Sequence, residues 1–297
     1  MLVTLTEEST SSSALSVLDS ALDGLDITFD LAPTSSQTAD GAALDSVSST
    51  PLPLRGAHSV RDLGGYPCVD ARGRRTVTAT GAFLRSGSLF FLTAGEVQLL
   101  KAYGVTRVID LRSPMELRFF PDSFCRGKHG DISYVSVPMM DRFEGRGIRG
   151  KIPAHMSDVY CAMLDDDADS IGAVFEALDT EGCVLFHCRQ GKDRTGVIAM
   201  LLLKLAGASD ETVVRDYALS DRYTGRTMGL QRVGLTILAR RSTRCVFKSD
   251  PDEMVRTLAH LEERYGTVRR YLEEAAEVPA TTLNRLAARL NGCTAGC

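Results

Sequence analysis

Residues 183 to 207 read Cys-Val-Leu-Phe-His-Cys-Arg-Gln-Gly-Lys-Asp-Arg-Thr-Gly and then Val-Ile-Ala-Met-Leu-Leu-Leu-Lys-Leu-Ala-Gly. The apolar run 184–186 is short and uninterrupted, which is typical of a buried strand in a parallel sheet. Residues 197–205 are apolar except for one lysine, so they predict a helix that is buried on most sides. A tight loop over 188–194 joins the two. This order predicts an α/β fold in which a central, mostly parallel sheet is flanked by helices.

The loop carries the residues of an anion site. A turn from a strand into a helix points successive backbone N–H groups into one concavity, and the positive end of the helix dipole adds to the same field. Gly191 lets the backbone curl without a Cβ in the way. Arg194 can offer two N–H groups of its planar guanidinium to two oxygens of one phosphate. The same positive field favours the thiolate form of Cys188 at neutral pH.

The spacing of Cys188 and Arg194 adds a nucleophile to this site. Five intervening residues let the chain encircle one tetrahedral anion and bring the guanidinium back opposite the sulfur. A thiolate in such a cradle indicates phosphoryl transfer through a cysteinyl-phosphate intermediate. The alternative is a buried structural cysteine, which leaves Gly191, Arg194 and the following Thr195 and Gly196 without explanation.

The signature of the bacterial and fungal branch of cysteine-dependent protein tyrosine phosphatases reads His-Cys-x-x-Gly-Lys-Asp-Arg-Thr-Gly. This chain resembles it at His187-Cys188-Arg189-Gln190-Gly191-Lys192-Asp193-Arg194-Thr195-Gly196. The resemblance extends over residues 51 to 291 and includes Arg61-Asp62-Leu63-Gly64-Gly65-Tyr66, Leu84-Arg85-Ser86-Gly87-Ser88-Leu89, Val108-Ile109-Asp110-Leu111-Arg112 and Leu283-Asn284-Arg285-Leu286. The chain departs from the family pattern at Gln190, where a small residue is usual, so loop packing or substrate access is expected to differ.

The resemblance implies a role for each residue of the loop. Cys188 is the expected nucleophile, and Arg194 is the expected clamp on the phosphoryl oxygens. The Thr195 hydroxyl is expected to donate a hydrogen bond to the departing thiolate, and His187 is expected to stay buried and orient the loop. The other residues expected to bind phosphate are Arg189, Gln190, Gly191 and Lys192.

A general acid should protonate the leaving oxygen, a step worth about 10²–10⁴-fold in rate. Three aspartates are candidates. Asp193 lies in the loop itself and is the candidate that the resemblance favours. Asp141 follows a predicted strand, where related dual-specificity phosphatases keep their acid. Asp110 lies in the predicted strand 105–111, at the sheet edge that forms the ligand crevice in open α/β sheets, and could also support the site from behind.

Other segments complete the predicted catalytic domain over 51–292. By resemblance, the turn with Arg61 and Asp62 is expected against the active-site side, where the two residues either support the site or form an ion pair that holds the turn. Thr93 and Glu96 form a capping box at the start of a helix. Residues 156–178 predict one helix, and residues 252–290 predict additional amphipathic helices at the C-terminal end.

The composition limits the class of protein, the kinds of metal site and the cellular location that are expected. Net charge is only -4, which argues against a general nucleic-acid binder. The eight cysteines are scattered without a Cys-x2-Cys pair, so neither a zinc site nor a disulfide framework is indicated, and the mechanism requires no metal or cofactor. The chain contains neither an apolar run long enough to span a membrane nor a signal-like start. We therefore expect a cytoplasmic protein, of an oligomeric state that the sequence does not indicate.

Two segments have unusual charge. Residues 1–50 contain eight acids, no base and many serines and threonines, which predicts a largely disordered tail. The stretch 222–249 contains seven bases and no acid. Such a stretch predicts a lid or a surface that contacts anionic headgroups or acidic peptides, and it makes an anionic membrane surface a candidate partner. A solvated face is the alternative.

The sequence thus predicts hydrolysis of phosphomonoesters, with phosphotyrosine proteins and phosphoinositides as the two substrate classes. Lys192 and Arg189 add two cations to the loop, which would suit a multiply phosphorylated inositol lipid. Two other hypotheses remain. A phosphate-binding module without turnover is disfavoured by the presence of Cys188 and Asp193, and only Gln190 favours it. A sulfur transferase also uses a loop cysteine, but its chemistry does not call for the Lys-Asp-Arg-Thr sequence.

Overall fold

The computed structural model describes residues 51–140, 154–222 and 249–292. Three of the expectations above concern residues outside these ranges. They are the disordered tail 1–50, the candidate acid Asp141 and most of the basic stretch, residues 223–248.

The strands of the described chain are β1 Arg61–Asp62, β2 Pro67–Val69, β3 Arg75–Val77, β4 Phe83–Ser86, β5 Val105–Asp110, β6 Ser133–Ser136 and β7 Cys183–His187. A five-stranded sheet with the order β1-β4-β7-β5-β6 forms the centre of the fold, and β2 pairs with β3 separately. In the large sheet only β1 is antiparallel to its neighbour. The prediction of a mostly parallel central sheet is therefore confirmed.

The helices are α1 Ala94–Tyr103, α2 Pro114–Phe119, α3 Met156–Asp166, α4 Ala168–Leu178, α5 Asp193–Leu205, α6 described over 210–222, α7 Pro251–Tyr265, α8 Val268–Glu274 and α9 Ala280–Leu290. They cover both faces of the sheet. Val184 and Phe186 of β7 belong to the larger core, together with α5 and the C-terminal helices. Cys183 and Leu185 belong to the smaller core, which includes α1. Alternate side chains of the central strand therefore enter different cores, and every residue of β7 is buried.

The register of the sheet brings the ends of three strands together at one edge. His187, the last residue of β7, lies opposite Ser86 of β4 on one side and opposite Asp110 of β5 on the other. All three strands end at this level and run parallel. Their carboxyl ends therefore meet where the loop after His187 begins, which is the edge where ligands bind in open α/β sheets.

The local sequence pattern predicted one helix start correctly and missed a break in another helix. The capping box of α1 is confirmed, because Thr93 Oγ1 accepts from the Glu96 N–H and the Glu96 carboxylate accepts from the Thr93 N–H. The prediction of a single helix over 156–178 is wrong. The chain turns at Asp167, whose carboxylate accepts a hydrogen bond from the Met140 N–H at 2.7 Å. This hydrogen bond links the break between α3 and α4 to the segment that follows β6.

Candidate active site

The loop between β7 and α5 curls around the sulfur of Cys188. The Gly191 N–H points at Cys188 Sγ, with the nitrogen 3.2 Å from the sulfur. Gly191 has φ +71°, and a Cβ there would lie 2.5 Å from the Gly87 nitrogen. Only glycine fits this close approach without moving the backbone. The sulfur is buried, with Cys188 only 2% exposed, at the N-terminal end of α5.

Arg194 is held in place by Glu116, a residue that the sequence analysis missed. Arg194 Nη1 and Nη2 donate to the two carboxylate oxygens of Glu116 at 2.6 and 2.9 Å, and Nη1 also donates to the Leu111 carbonyl at 3.2 Å. Burial alone would lower the pKa of Arg194, but the Glu116 hydrogen bonds and the charge of Cys188 raise it above its usual value. Burial raises the pKa of Glu116, and Arg194 more than offsets this and lowers it.

These contacts leave one edge of the Arg194 guanidinium available. Arginine has five N–H donors, and the contacts with Glu116 and Leu111 use three of them. Nε–H and the second proton of Nη2 are the two that the described part of the chain does not use. They lie side by side on one edge of the planar group, in the arrangement that binds two oxygens of one phosphate.

Glu116 could have been found by the rule that found Glu96. Ser113 and Glu116 form a second capping box, with Pro114 at the first position of α2. The Glu116 carboxylate accepts from the Ser113 N–H at 2.9 Å while it also binds Arg194. The box was visible in the sequence. The contact with a residue 78 positions further along the chain was not.

Asp193 lies one residue before Arg194, at the start of α5, with its side chain 23% exposed. Its Oδ1 accepts a hydrogen bond from the Tyr160 hydroxyl and lies 3.3 Å from Lys192 Nζ. Tyr160 in turn contacts the Tyr217 hydroxyl at 2.7 Å. Burial, and then the charge of Asp193, raise the pKa of Tyr160 far above its usual value, so the phenol stays a neutral donor.

The other loop residues divide into buried and exposed positions. Lys192 is fully buried and turned towards Asp193, whereas Arg189 is exposed and lies over the Phe120 ring, 5.3 Å from its centroid. Gln190 is half-buried. Thr195 Oγ1 is buried and has no hydrogen-bond partner among the described residues. The hydrogen bond expected from Thr195 to the departing thiolate belongs to the second step of the reaction and stays a prediction.

A buried group of charges, which we call the Arg112 cluster, lies behind the first half of the loop. It consists of Arg112, Asp110, Asp122 and His187. Arg112 Nη2 donates to both carboxylates, at 2.6 Å to Asp110 and 2.7 Å to Asp122. His187 Nε2 lies 3.5 Å from an oxygen of each carboxylate, and Nδ1 lies 3.2 Å from the Cys188 carbonyl oxygen.

The contacts of the Arg112 cluster decide between the two roles considered for Asp110. Asp110 is fully buried and accepts from Arg112 and from the Tyr134 hydroxyl, so it fits a supporting residue better than an acid that reaches substrate. The carboxylates and His187 could also hold a metal ion by their spacing. The Arg112 guanidinium already supplies the positive charge between the two carboxylates, so the group does not fit a metal site.

A second buried group, the Asp216 cluster, lies behind the other half of the loop. It consists of Asp216 on α6, Arg61, Arg85 and Tyr66. Both arginines and the Tyr66 hydroxyl donate to the Asp216 carboxylate. Arg85 Nη2 also donates to the Gly191 carbonyl oxygen at 2.9 Å. Burial raises the pKa of Asp216, but Arg61 and Arg85 outweigh it and lower the pKa to about 2. The cluster ties the catalytic loop to β1, β4 and α6.

The contacts described for Arg61 and Asp62 lead to other partners, and the ion pair between the two stays a hypothesis. Arg61 donates to Asp216, whereas the Asp62 carboxylate accepts from the N–H groups of Gly64 and Gly81, each at 2.6 Å. Arg61 thus supports the site through Asp216. Asp62 holds the turn through backbone hydrogen bonds.

Comparison with known families agrees with this geometry. A model described as tyrosine phosphatase family matches residues 52–292. The chain belongs to this family. The matched region contains the catalytic loop and the described residues of both buried clusters.

Individual relatives carry related names. The chain is 35% identical to a tyrosine-protein phosphatase from Nostoc commune over 54% of this chain, and the match spans 56% of the relative. It is 25% identical to triple specificity protein phosphatase PtpB from Mycobacterium tuberculosis, over 79% of this chain and 100% of the relative. The crystal structure of P. aeruginosa TpbA matches 60% of this chain and 85% of TpbA, with 18% identity and a TM-score of 0.31. Within the described residues, none of the helices has the length and apolar character needed to cross a membrane.

Proposed function

We propose that this protein hydrolyses phosphomonoesters through a cysteinyl-phosphate intermediate, with phosphotyrosine in proteins and phosphoinositides as its substrate classes. The observation that carries the proposal is the convergence of three groups on one anion site. These groups are the sulfur of Cys188, the curled backbone at Gly191 and the unused edge of Arg194. The names of the relatives, which include a triple specificity phosphatase, support the same class of reaction.

In the first step the Cys188 thiolate attacks phosphorus, so that a P–S bond forms while the P–O bond to the leaving group breaks. Asp193 gives its proton to the leaving oxygen. In the second step a water attacks phosphorus and the P–S bond breaks. The water proton passes to the Asp193 carboxylate, and inorganic phosphate and the thiolate are released. Arg194 binds two of the phosphoryl oxygens, whose negative charge is stabilised by the guanidinium and the backbone N–H groups.

Asp193 remains the preferred acid after the structure is considered. It lies beside Arg194 and is partly exposed, whereas Asp110 is fully buried in the Arg112 cluster. Asp141 lies outside the described residues. The Tyr160 hydroxyl and Lys192 fix the direction of the Asp193 side chain, so they act as positioning residues for the proton transfer.

Turnover of para-nitrophenyl phosphate, with and without vanadate, tests the reaction class. We expect turnover that vanadate inhibits and that EDTA leaves unchanged. Cys188→Ser should abolish turnover, and Arg194→Lys should lower it by at least about 100-fold because lysine cannot bind two oxygens in one plane. A chain that binds phosphate or vanadate without turnover would be the phosphate-binding module instead.

Comparison of leaving groups tests the acid. Asp193→Asn should lose about 10²–10⁴-fold on phenyl phosphate, whose leaving group needs a proton, and much less on para-nitrophenyl phosphate. Asp110→Asn is the matched control and should affect both substrates equally. Equal losses on both substrates for Asp193→Asn would remove Asp193 from the acid role. A panel of phosphotyrosine peptides and phosphoinositides then ranks the two substrate classes.

A further inference from the structure

Exposed apolar side chains stand beside the catalytic loop. Phe91 is 72% exposed, Phe119 66%, Met115 58% and Phe120 42%, and we call these four residues the aromatic rim. Phe90 connects two of them, with its ring centroid 4.7 Å from that of Phe91 and 5.8 Å from that of Phe120. The rim reaches the loop itself, because Arg189 lies over the Phe120 ring.

The rim is exposed at the surface. Met115 and Phe119 are four residues apart on α2 and so share one face of that helix, and α2 has no buried residue. Large apolar side chains that are more than half exposed do not gain the free energy that burial would release unless a partner covers them. Peptides are usually bound in grooves or along sheet edges. Exposed rings can instead insert into the interfacial region of a lipid bilayer.

The exposed charges of the segment that carries α2 are positive. The acids on either side of it are already bound, because Glu96 accepts from the Gly56 and Thr93 N–H groups and Asp131 pairs with Lys101. Between residues 111 and 130 the exposed charged side chains are Arg118, Arg126 and Lys128. The two acids of this segment, Glu116 and Asp122, are bound to Arg194 and Arg112. Arg189 adds a fourth exposed base, and none of the four forms an ion pair with a described residue. Exposed rings with unpaired bases are typical of proteins that lie on anionic lipid surfaces.

We propose that the aromatic rim and its four bases dock the protein on an anionic membrane, with the rings in the headgroup region and the catalytic loop facing the lipid. The inference rests on the proposed function only for the consequence that phosphorylated lipid headgroups reach Cys188. Docking itself needs no turnover. A membrane attraction of about 1 kcal/mol per base near the surface corresponds to about fivefold in partition for each base.

Cosedimentation of the full chain with vesicles tests the docking. Vesicles of phosphatidylcholine alone are compared with vesicles that also contain phosphatidylserine. We expect the native chain to bind only the anionic vesicles, and more weakly as salt rises. The double variant Phe91→Ser with Phe119→Ser should lower the partition at least about tenfold, and Arg118→Gln with Lys128→Gln should lower it by a similar factor.

The double change Leu99→Ser with Val255→Ser is the matched control, because both side chains are 50% exposed but lie on α1 and α7. It should leave the partition unchanged. Absence of binding by the native chain, or an equal loss in the control, would overturn the proposal. A higher KM for phosphotyrosine peptides in the Phe variants, with unchanged vesicle partition, would make the rim a peptide site and also overturn it.

The outcome is separate from that of the proposed function. Turnover of para-nitrophenyl phosphate is measured on the same variants and should equal that of the native chain, because the ring contact described with the loop is that of Phe120, which these variants keep. Vesicle binding without turnover would refute the proposed function alone. Turnover without vesicle binding would refute the docking alone.

Discussion

The Asp216 cluster and the Arg112 cluster support the two halves of one loop with opposite arrangements of charge. In the first, one carboxylate lies between two guanidinium groups, those of Arg61 and Arg85. In the second, one guanidinium lies between two carboxylates, those of Asp110 and Asp122. Asp216 is therefore the one carboxylate of its cluster, whereas the Arg112 cluster has two carboxylates that share one guanidinium.

The arrangements also differ in what they place behind the anion site. Arg85 donates to the Gly191 carbonyl and brings positive charge close to the half of the loop that is proposed to bind phosphate. The Arg112 cluster has one more carboxylate than guanidinium groups. Its carboxylates lie close to His187, at the other half of the loop. Burying a charge is tolerable only when it is paired and hydrogen-bonded. The comparison predicts that the number of alternative ion-pair partners, more than burial itself, decides how much each residue contributes to the free energy of unfolding.

The largest effect is expected from Asp216→Asn. The change removes the carboxylate charge to which both buried guanidinium groups donate, and removal of one partner from a buried ion pair costs about 3–5 kcal/mol. We expect the free energy of unfolding in urea to fall by that amount, and turnover to fall with it because Arg85 no longer holds Gly191 in place. A loss below about 1 kcal/mol would show that the cluster is not a unit.

The same residue should make part of the stability depend on pH. The folded-state pKa of Asp216 is about 2, below the ordinary value of 3.8. A depressed carboxyl pKa contributes stability that is complete above about pH 4 and is lost as the pH falls through about 2. The shift corresponds to roughly 2 kcal/mol. Urea unfolding of the native chain between these pH values should show this decrease, and an Asp216→Asn chain should show a flatter profile.

The contrast between the clusters also explains what could be predicted from sequence. The catalytic loop is local, so spacing and apolar runs were sufficient to place Cys188, Gly191 and Arg194 between a buried strand and a buried helix. Asp216 is 131 residues from Arg85, and no local pattern marks it. The break at Asp167 depends in the same way on a distant N–H, that of Met140. Contacts between distant segments are set by packing, which a single sequence does not show.

A smaller effect is expected from Asp122→Asn. Arg112 keeps Asp110 as its partner in this variant, and burial already raises the pKa of Asp122, so the charge that is removed was less favoured than in Asp216. We expect a loss of about 1.5–3 kcal/mol in the free energy of unfolding, the contribution of one hydrogen bond to a charged group. A loss as large as that of Asp216→Asn would contradict the idea that shared partners protect this cluster.

The smallest effects separate the clusters through a matched pair of tyrosines. The Tyr66 hydroxyl donates to Asp216 at 2.7 Å, and the Tyr134 hydroxyl donates to Asp110 at 3.1 Å. Hydrogen bonds to charged groups contribute about 1.5–3 kcal/mol when the acceptor depends on them. Tyr66→Phe should cost about 1.5 kcal/mol, the lower end of that range, because its hydrogen bond is short and fully buried, whereas that of Tyr134 is longer and only partly buried. Tyr134→Phe should cost less than about 1 kcal/mol, because Arg112 donates to the same Asp110 oxygen. Equal losses in urea unfolding would mean that the different lengths and burial of these two hydrogen bonds have no energetic consequence. A larger loss for Tyr134→Phe would reverse the order of the two clusters.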